Sequence, residues 1–115
     1  MQPVDVNNII TEKIALPVLA GKDIELSVLR LDKIHPLVSG NKWFKLRYYL
    51  EDARQQGKKK IVTFGGAWSN HILATAAACR LYGFRCAGII RGEQPEALSP
   101  TLEAAQQMGM ELLFV

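Results

Sequence analysis

The chain has 115 residues, of which 49% are hydrophobic and 22% are charged, and this length allows one domain at most or a piece of a larger one. The composition is typical of a globular protein and excludes a disordered segment. A net charge of +3 without a long basic stripe argues against a nucleic-acid partner, and we interpret the densest basic run, Lys58-Lys59-Lys60, as a solvated loop.

Cysteine spacing and the pattern of apolar runs exclude further classes of protein. No apolar run approaches the ~20 residues of a membrane span, and residues 1–13 lack the basic start and apolar core of a secretory signal, so we expect no membrane partner. Cys79 and Cys86 form neither a C-x-x-C nor a zinc pattern. We therefore expect two buried free thiols, no metal and a cytoplasmic protein.

The first half of the chain contains one predicted strand and one predicted helix. We predict that residues 1–22 are irregular, and that the alternation of apolar and polar residues over 24–32 forms a strand. His35-Pro36 breaks this strand, and a helix is predicted over 42–56. One face of that helix is apolar and is predicted to be core: Trp43, Leu46, Leu50 and Ala53.

A strand–helix–strand–helix–strand pattern follows. The continuously apolar run 61–64 predicts a strand covered on both faces of its sheet, followed by a helix over 69–81 with Ser69 as its N-cap. Further strands are predicted over 86–90 and 111–115, with a helix opened by Ser99-Pro100 between them. Glycines are predicted to close the three helices: Gly57, Gly83 and Gly109.

Short connections between these elements predict an α/β fold, with a parallel sheet built by βαβαβ crossovers. Such sheets bind ligands beyond the carboxyl ends of their strands, and residues 65–70 lie at one of these ends. The last strand, 111–115, is of the buried type and no covering helix follows it, so we expect a fold of this kind that is cut short.

Residues 39–46, Ser-Gly-Asn-Lys-Trp-Phe-Lys-Leu, place a lysine in the opening turn of a helix, directly after a glycine turn. The positive end of the helix dipole disfavours a charged amine there, which suits a nucleophilic lysine that forms Schiff bases. The plain alternative is that Lys42 is simply a solvent-exposed lysine, and this motif alone does not decide between the two.

Residues 63–71, Thr-Phe-Gly-Gly-Ala-Trp-Ser-Asn-His, run from a strand through two glycines into the start of a helix, where anions bind. The spacing matches neither the G-x-G-x-x-G dinucleotide fingerprint nor the G-x-S-x-G nucleophile elbow, and the plain alternative is an ordinary capped turn. His71 taken alone is more often structural than functional. Together, however, the two motifs suggest a site for a carbonyl-bearing anion, and pyridoxal phosphate fits that description.

In this order and spacing, and together with Arg30-Leu31-Asp32, the two motifs resemble one family. It is the group of pyridoxal-phosphate enzymes that includes 1-aminocyclopropane-1-carboxylate deaminase and D-cysteine desulfhydrase. The resemblance covers about residues 24–92. It implies the tryptophan-synthase-β-like fold, which is fold type II of these enzymes.

The resemblance also implies a role for each matching residue. Lys42 corresponds to the lysine that forms the internal aldimine with the cofactor and later moves the substrate proton. Asn70 corresponds to the asparagine that hydrogen-bonds the ring oxygen of the cofactor, and Ser69 to the serine near the substrate carboxylate. Lys45, one helical turn after Lys42, is expected to approach the phosphate.

Two positions depart from the family pattern. Phe44 replaces an arginine that is common in the Gly-Asn-Lys-x-Arg-Lys-Leu run, and Trp68 stands where glutamine or tyrosine is usual. Position 68 lies next to the substrate in the resemblance, so the substrate is not inherited with the family. The family also carries a glycine-rich phosphate loop, an aromatic–acid pair and a partner for the pyridine nitrogen further along, all outside this sequence.

We therefore expect residues 1–57 to form the first part of a large cofactor domain, and residues 58–115 to begin a smaller α/β domain. The expected function is a homo-oligomeric, pyridoxal-phosphate-dependent deaminase or desulfhydrase of a small amino acid, with this chain inactive on its own. The expected substrate is aminocyclopropane carboxylate or a D-cysteine-like amino acid, and the sequence leaves the choice between them open. Two other classes stay open, a non-catalytic folding or interaction module and a small anion-binding α/β domain without covalent chemistry.

Overall fold

The computed structural model describes residues 2–115, which form two small sheets and three α-helices. Short 3₁₀ turns occur at Val6–Asn8, Pro17–Leu19 and Leu31–Lys33. The strands are β1 (Thr11–Ile14), β2 (Leu26–Leu29), β3 (Lys60–Gly65), β4 (Arg85–Ile90) and β5 (Met110–Phe114). The helices are α1 (Lys42–Gln55), α2 (Asn70–Tyr82) and α3 (Pro100–Gln107).

The second half of the chain is a three-stranded parallel sheet in the order β3-β4-β5. Thr63 pairs with Gly88, which in turn pairs with Leu112, so the three strands are in a simple parallel register. Helices α2 and α3 connect them, and each helix contacts the sheet as well as the other helix. The predicted α/β fold with a parallel βαβαβ sheet is therefore confirmed.

The predicted helices agree with the structure to within one or two residues at each end. Gly83 adopts a left-handed conformation (φ 79°) directly after α2, and its N–H bonds the Cys79 carbonyl. Gly57 and Gly109 also have positive φ values and follow α1 and α3. The glycine caps predicted from sequence are confirmed, because only glycine adopts this conformation at little cost.

The first 22 residues are not all irregular, and that prediction was wrong. Strand β1 pairs antiparallel with β2, with Thr11 opposite Leu29 and Ile14 opposite Leu26. The predicted strand over 24–32 shortens to β2, because residues 31–33 turn as a 3₁₀ helix. This pairing joins segments far apart in sequence, and β1 is too short to give a clear alternation of its own.

The prediction that β3 is covered on both faces was also wrong for this chain. Side chains alternate along β3, and Val62 and Phe64 are 52% and 70% exposed on the outer face. On the inner face, Thr63 and Gly65 are half-buried beneath α2. Because α2 and α3 contact each other, both lie on the same side of the sheet and leave the outer side open within residues 2–115.

The core lies between the inner face of the sheet and the three helices. Helix α2 approaches β3 closely, because a Cβ atom added to Gly65 would lie 2.6 Å from Cγ1 of Ile72. Leu46 and Leu50 of α1 are buried in the same core, and Trp43 packs partly buried against it. Small residues make the close approach of α2 possible: Ala74, Ala76, Ala77, Ala78 and Cys79.

Both cysteines are free and buried, as predicted. Cys79 is in α2 and Cys86 is in β4, and interaction with the neighbouring thiol of Cys86, together with burial, raises the pKa of Cys79. No helix among residues 2–115 is long and apolar enough to cross a lipid bilayer.

Candidate active site

The loop before α1 presents Lys42 at the first position of that helix. Gly40 has a φ of 62°, a left-handed conformation that turns the chain sharply into the helix. Asn41 occupies the N-cap position, and its Oδ1 atom lies 3.4 Å from Nζ of Lys42. Lys42 is half-buried, which differs from the fully solvated lysine of the plain alternative.

The loop after β3 presents a serine and an asparagine at the start of α2. Ser69 holds the N-cap position as predicted, but its side chain makes no capping hydrogen bond to the residues that the structure describes. Asn70 is the first residue of the helix and is exposed. The Ser99 hydroxyl donates a hydrogen bond to the Ala67 carbonyl, which ties this loop to the start of α3.

Lys42 and Asn70 line one cavity of about 250 Å³. They come from the first turns of α1 and α2, and 28 positions of sequence separate them. The cavity is small and takes a small molecule or one part of a larger one. Its other walls come from the loop before α1 and from the second turn of α2: Pro36, Leu37, Ser39, Gly40 and Leu73.

The two remaining residues implied by the resemblance lie outside this cavity. Ser69 is half-buried next to Asn70 in the chain, and Lys45 is exposed one helical turn after Lys42. The structure thus places Lys42 and Asn70 in the wall of the same cavity, whereas Ser69 and Lys45 are not among the residues that line it. The roles expected of all four residues stay predictions.

His71 is a residue near the site that sequence reasoning left without a partner. Its Nε2 atom lies 2.8 Å from the Thr63 hydroxyl, and the Thr75 hydroxyl donates to the His71 carbonyl at 2.7 Å. Burial, together with the positive charges of Lys42 and Lys45, lowers the pKa of His71 below its ordinary value. The sequence signal for this contact was Thr63, the polar residue within the run 61–64, and the structure shows that its side of β3 faces α2.

The donor set defines what the site can do chemically. Three of the residues that line this small cavity beside the N-terminus of α2 carry polar side chains, namely an amine (Lys42), an amide (Asn70) and a hydroxyl (Ser39). Such groups suit a small molecule with a carbonyl carbon for the amine and anionic oxygens for the helix terminus. Among residues 2–115, no group of three or more acidic, histidine or cysteine side chains could hold a metal ion.

No protein-family model matches the chain. A mitochondrial protein of Oryza sativa, provisionally named a D-cysteine desulfhydrase, is 45% identical over 69 residues, which cover 60% of this chain and 17% of that protein. A Pyrococcus abyssi protein, provisionally named a 1-aminocyclopropane-1-carboxylate deaminase, is 34% identical over 88 residues, which cover 76% of this chain and 26% of that protein.

Among solved structures, one described as a homologue of ACC deaminase superposes with a TM-score of 0.74 at 27% sequence identity. The superposition covers 94% of this chain and 32% of that structure. The chain therefore spans about a third of the solved relative, and less than a third of each of the two curated relatives. Over its own length, the chain is a relative of the D-cysteine desulfhydrases and 1-aminocyclopropane-1-carboxylate deaminases and has the fold of that family.

Proposed function

We propose that this chain supplies the lysine side of the active site of a pyridoxal-phosphate-dependent deaminase or desulfhydrase of a small amino acid. The observation that carries the proposal is the shared cavity, which both Lys42 and Asn70 line. The names of the two curated relatives support the substrate class, aminocyclopropane carboxylate or D-cysteine.

The residues present fit the cofactor at its reactive end. Lys42 Nζ would hold the aldehyde carbon, and the Asn70 amide would donate to the ring oxygen beside it. Lys45, exposed one turn further along α1, would pair with the phosphate. When bound, pyridoxal phosphate supplies an electron sink for the carbanion that forms at the substrate.

The chain's own groups would then bind the substrate and move its proton. The N-terminus of α2 and the uncommitted hydroxyl of Ser69 would bind the substrate carboxylate, because the helix dipole favours an anion there. With cofactor and substrate bound, Lys42 Nζ would take a proton from the substrate carbon and return it elsewhere. Lys42 and Ser69 are thus the proposed catalytic residues.

We further propose that the 115-residue chain is inactive by itself, because it spans about a third of a solved relative. The assembled enzyme is proposed to be a homo-oligomer. A cytoplasmic setting is also proposed, since Cys79 and Cys86 are both free thiols, as is usual in a reducing compartment.

Reductive trapping tests the proposal directly. The chain is incubated with pyridoxal phosphate, treated with borohydride and mapped by peptide mass spectrometry. We expect the label on Lys42 in preference to the exposed lysines, and Lys42→Arg should remove it, because a guanidinium does not form the bond. The matched control is Lys33→Arg, which changes a lysine outside the cavity and should leave the labelling unchanged.

Labelling spread evenly over the lysines would contradict the proposal and would favour a non-catalytic module. Binding of the cofactor without any borohydride-stable bond would favour the anion-binding alternative. Activity is measured separately with D-cysteine and aminocyclopropane carboxylate, and turnover by the 115-residue chain alone would disprove its proposed inactivity.

A further inference from the structure

A second histidine lies beneath the loop that leads to Lys42. His35 is only 2% exposed, and its side chain touches backbone groups on both sides. The Nδ1 atom lies 3.0 Å from the backbone nitrogen of Leu37 and 3.1 Å from that of Val38. The Nε2 atom lies 2.8 Å from the carbonyl oxygen of Gln2.

These contacts determine where the proton of the imidazole lies. Two backbone N–H groups point at Nδ1, so that atom accepts both hydrogen bonds and carries no proton. The proton of the neutral ring is therefore on Nε2, which donates it to the Gln2 carbonyl. Both ring nitrogens are thus hydrogen-bonded to backbone groups, and neither is available to bind a ligand.

The loop that His35 holds is also the wall of the Lys42 cavity. Leu37, one of the two residues that donate to Nδ1, lines the cavity directly, as do Pro36, Ser39 and Gly40. Val38, the other donor, is fully buried and anchors the middle of the loop in the core. A further hydrogen bond, from the Gly40 N–H to the Leu31 carbonyl at 3.1 Å, holds the end of the loop.

We propose that His35 is a positioning residue for the proposed active site, and that its Nδ1 atom fixes the loop of residues 36–40 before α1, so that Lys42 and Asn70 line the same cavity. Without the acceptor, two buried N–H groups lose their partner and the loop gains freedom to move away from the cavity. The bond from Nε2 to Gln2 fastens the N-terminal segment and is separate from this function. The inference rests on the proposed function only where cofactor attachment is measured.

Two substitutions of His35 separate the acceptor function of Nδ1 from the donor function of Nε2. In His35→Asn, Oδ1 lies two bonds from Cβ, like Nδ1 of histidine, so the acceptor for Leu37 and Val38 is kept and the donor to Gln2 is lost. In His35→Gln, the amide lies three bonds from Cβ, like Nε2, so the donor is kept and the acceptor is lost. A residue that merely fills space would give similar results in both variants.

Amide hydrogen exchange reports on the loop without any cofactor. We expect exchange at Leu37 and Val38 to accelerate about tenfold or more in His35→Gln, and to change less than about threefold in His35→Asn. Reductive trapping by pyridoxal phosphate at Lys42, relative to the exposed lysines, should fall about tenfold in His35→Gln only. Acetylation of Lys42 by acetic anhydride gives a third readout that does not involve the cofactor.

The failure of this inference is distinguishable from failure of the proposed function. If wild-type Lys42 is not labelled by pyridoxal phosphate, the proposed function fails, while amide exchange and acetylation still test His35. Equal behaviour of the two variants in these measurements would overturn the positioning role. If neither variant folds, the ¹⁵N chemical shifts of the wild-type His35 ring show which ring nitrogen carries the proton. A proton on Nε2 supports the proposal, and a proton on Nδ1 would overturn it.

Discussion

The Nε2 atom of His71 lies 2.8 Å from the Thr63 hydroxyl and so connects the first turn of α2 to β3. Lys42 and Lys45 of α1 are the charges that act on this imidazole. The His71–Thr63 pair therefore joins α2 to β3 within reach of the charges of α1, and protonation of His71 acts on the stability of this contact.

We predict that stability falls as the pH drops below the ordinary histidine pKa of about 6.5, and that His71 accounts for part of the fall. Burial, Lys42 and Lys45 lower the pKa of His71 in the folded state, so the unfolded chain binds the proton more strongly. Stability is therefore unaffected by His71 above pH 6.5 and decreases below it, until the folded-state pKa is reached.

Urea unfolding of the wild type and of His71→Gln at several pH values checks this prediction. The difference in the free energy of unfolding between the two proteins isolates the contribution of His71 from that of other titrating groups. This difference should become smaller as the pH falls. A difference that stays constant with pH would contradict the prediction. Thr63→Val is the companion change, and it should cost about 1 kcal/mol because it removes the hydroxyl partner of the ring.

Asn70→Ala should weaken cofactor binding without preventing it. Under the proposed function, the amide donates to the ring oxygen, and one such contact contributes about 1–2 kcal/mol. The pH at which the visible absorbance of the bound cofactor changes should also shift, because this hydrogen bond favours one protonation state over the other. A spectral titration identical to that of the wild type would mean that Asn70 only begins its helix.

Gly65→Ala should destabilise the fold by about 1–3 kcal/mol. The new methyl group would lie 2.6 Å from Cγ1 and 2.8 Å from Cδ1 of Ile72, so α2 has to move away from β3. Gly66→Ala is the matched control, because its methyl group meets only the mobile end of Arg91 at 3.2 Å. Urea midpoints give both values.

A second substitution makes the Gly65 test specific. Ile72→Ala removes the atoms that the new methyl group would meet, so Gly65→Ala should cost less in that background than in the wild type. If the two changes are simply additive, the cost at Gly65 arises from the backbone and not from contact with Ile72.

The outer face of the parallel sheet should make this chain self-associate. Val62 and Phe64 of β3 are 52% and 70% exposed on this face, and Leu113 of β5 is 45% exposed, with Ile89 of β4 between Phe64 and Leu113. A contiguous apolar patch associates more readily than an isolated side chain, so Phe64→Ser should reduce light scattering at high concentration. Tyr49→Ser, which changes an exposed aromatic residue on α1, is the control and should have little effect.

Local sequence determined the helices and the parallel strands of this protein. Apolar runs, alanine content, Ser99-Pro100 and the glycines that follow the helices act over a few residues, and the bounds of α1, α2 and α3 agree with them. The N-cap position of Ser69 was predictable for the same reason, but the direction of its hydroxyl was not.

Tertiary structure decided how the residues of the site come together. Lys42 and Asn70 meet in one cavity because α1 packs against α2, and the order of residues along the chain does not specify that contact. The same holds for His35, which reads in sequence only as a residue before a proline, and for the pairing of β1 with β2. The exposed outer face of β3 was not predictable for a similar reason. An apolar run indicates that a strand is buried, but it does not indicate which other element covers each face.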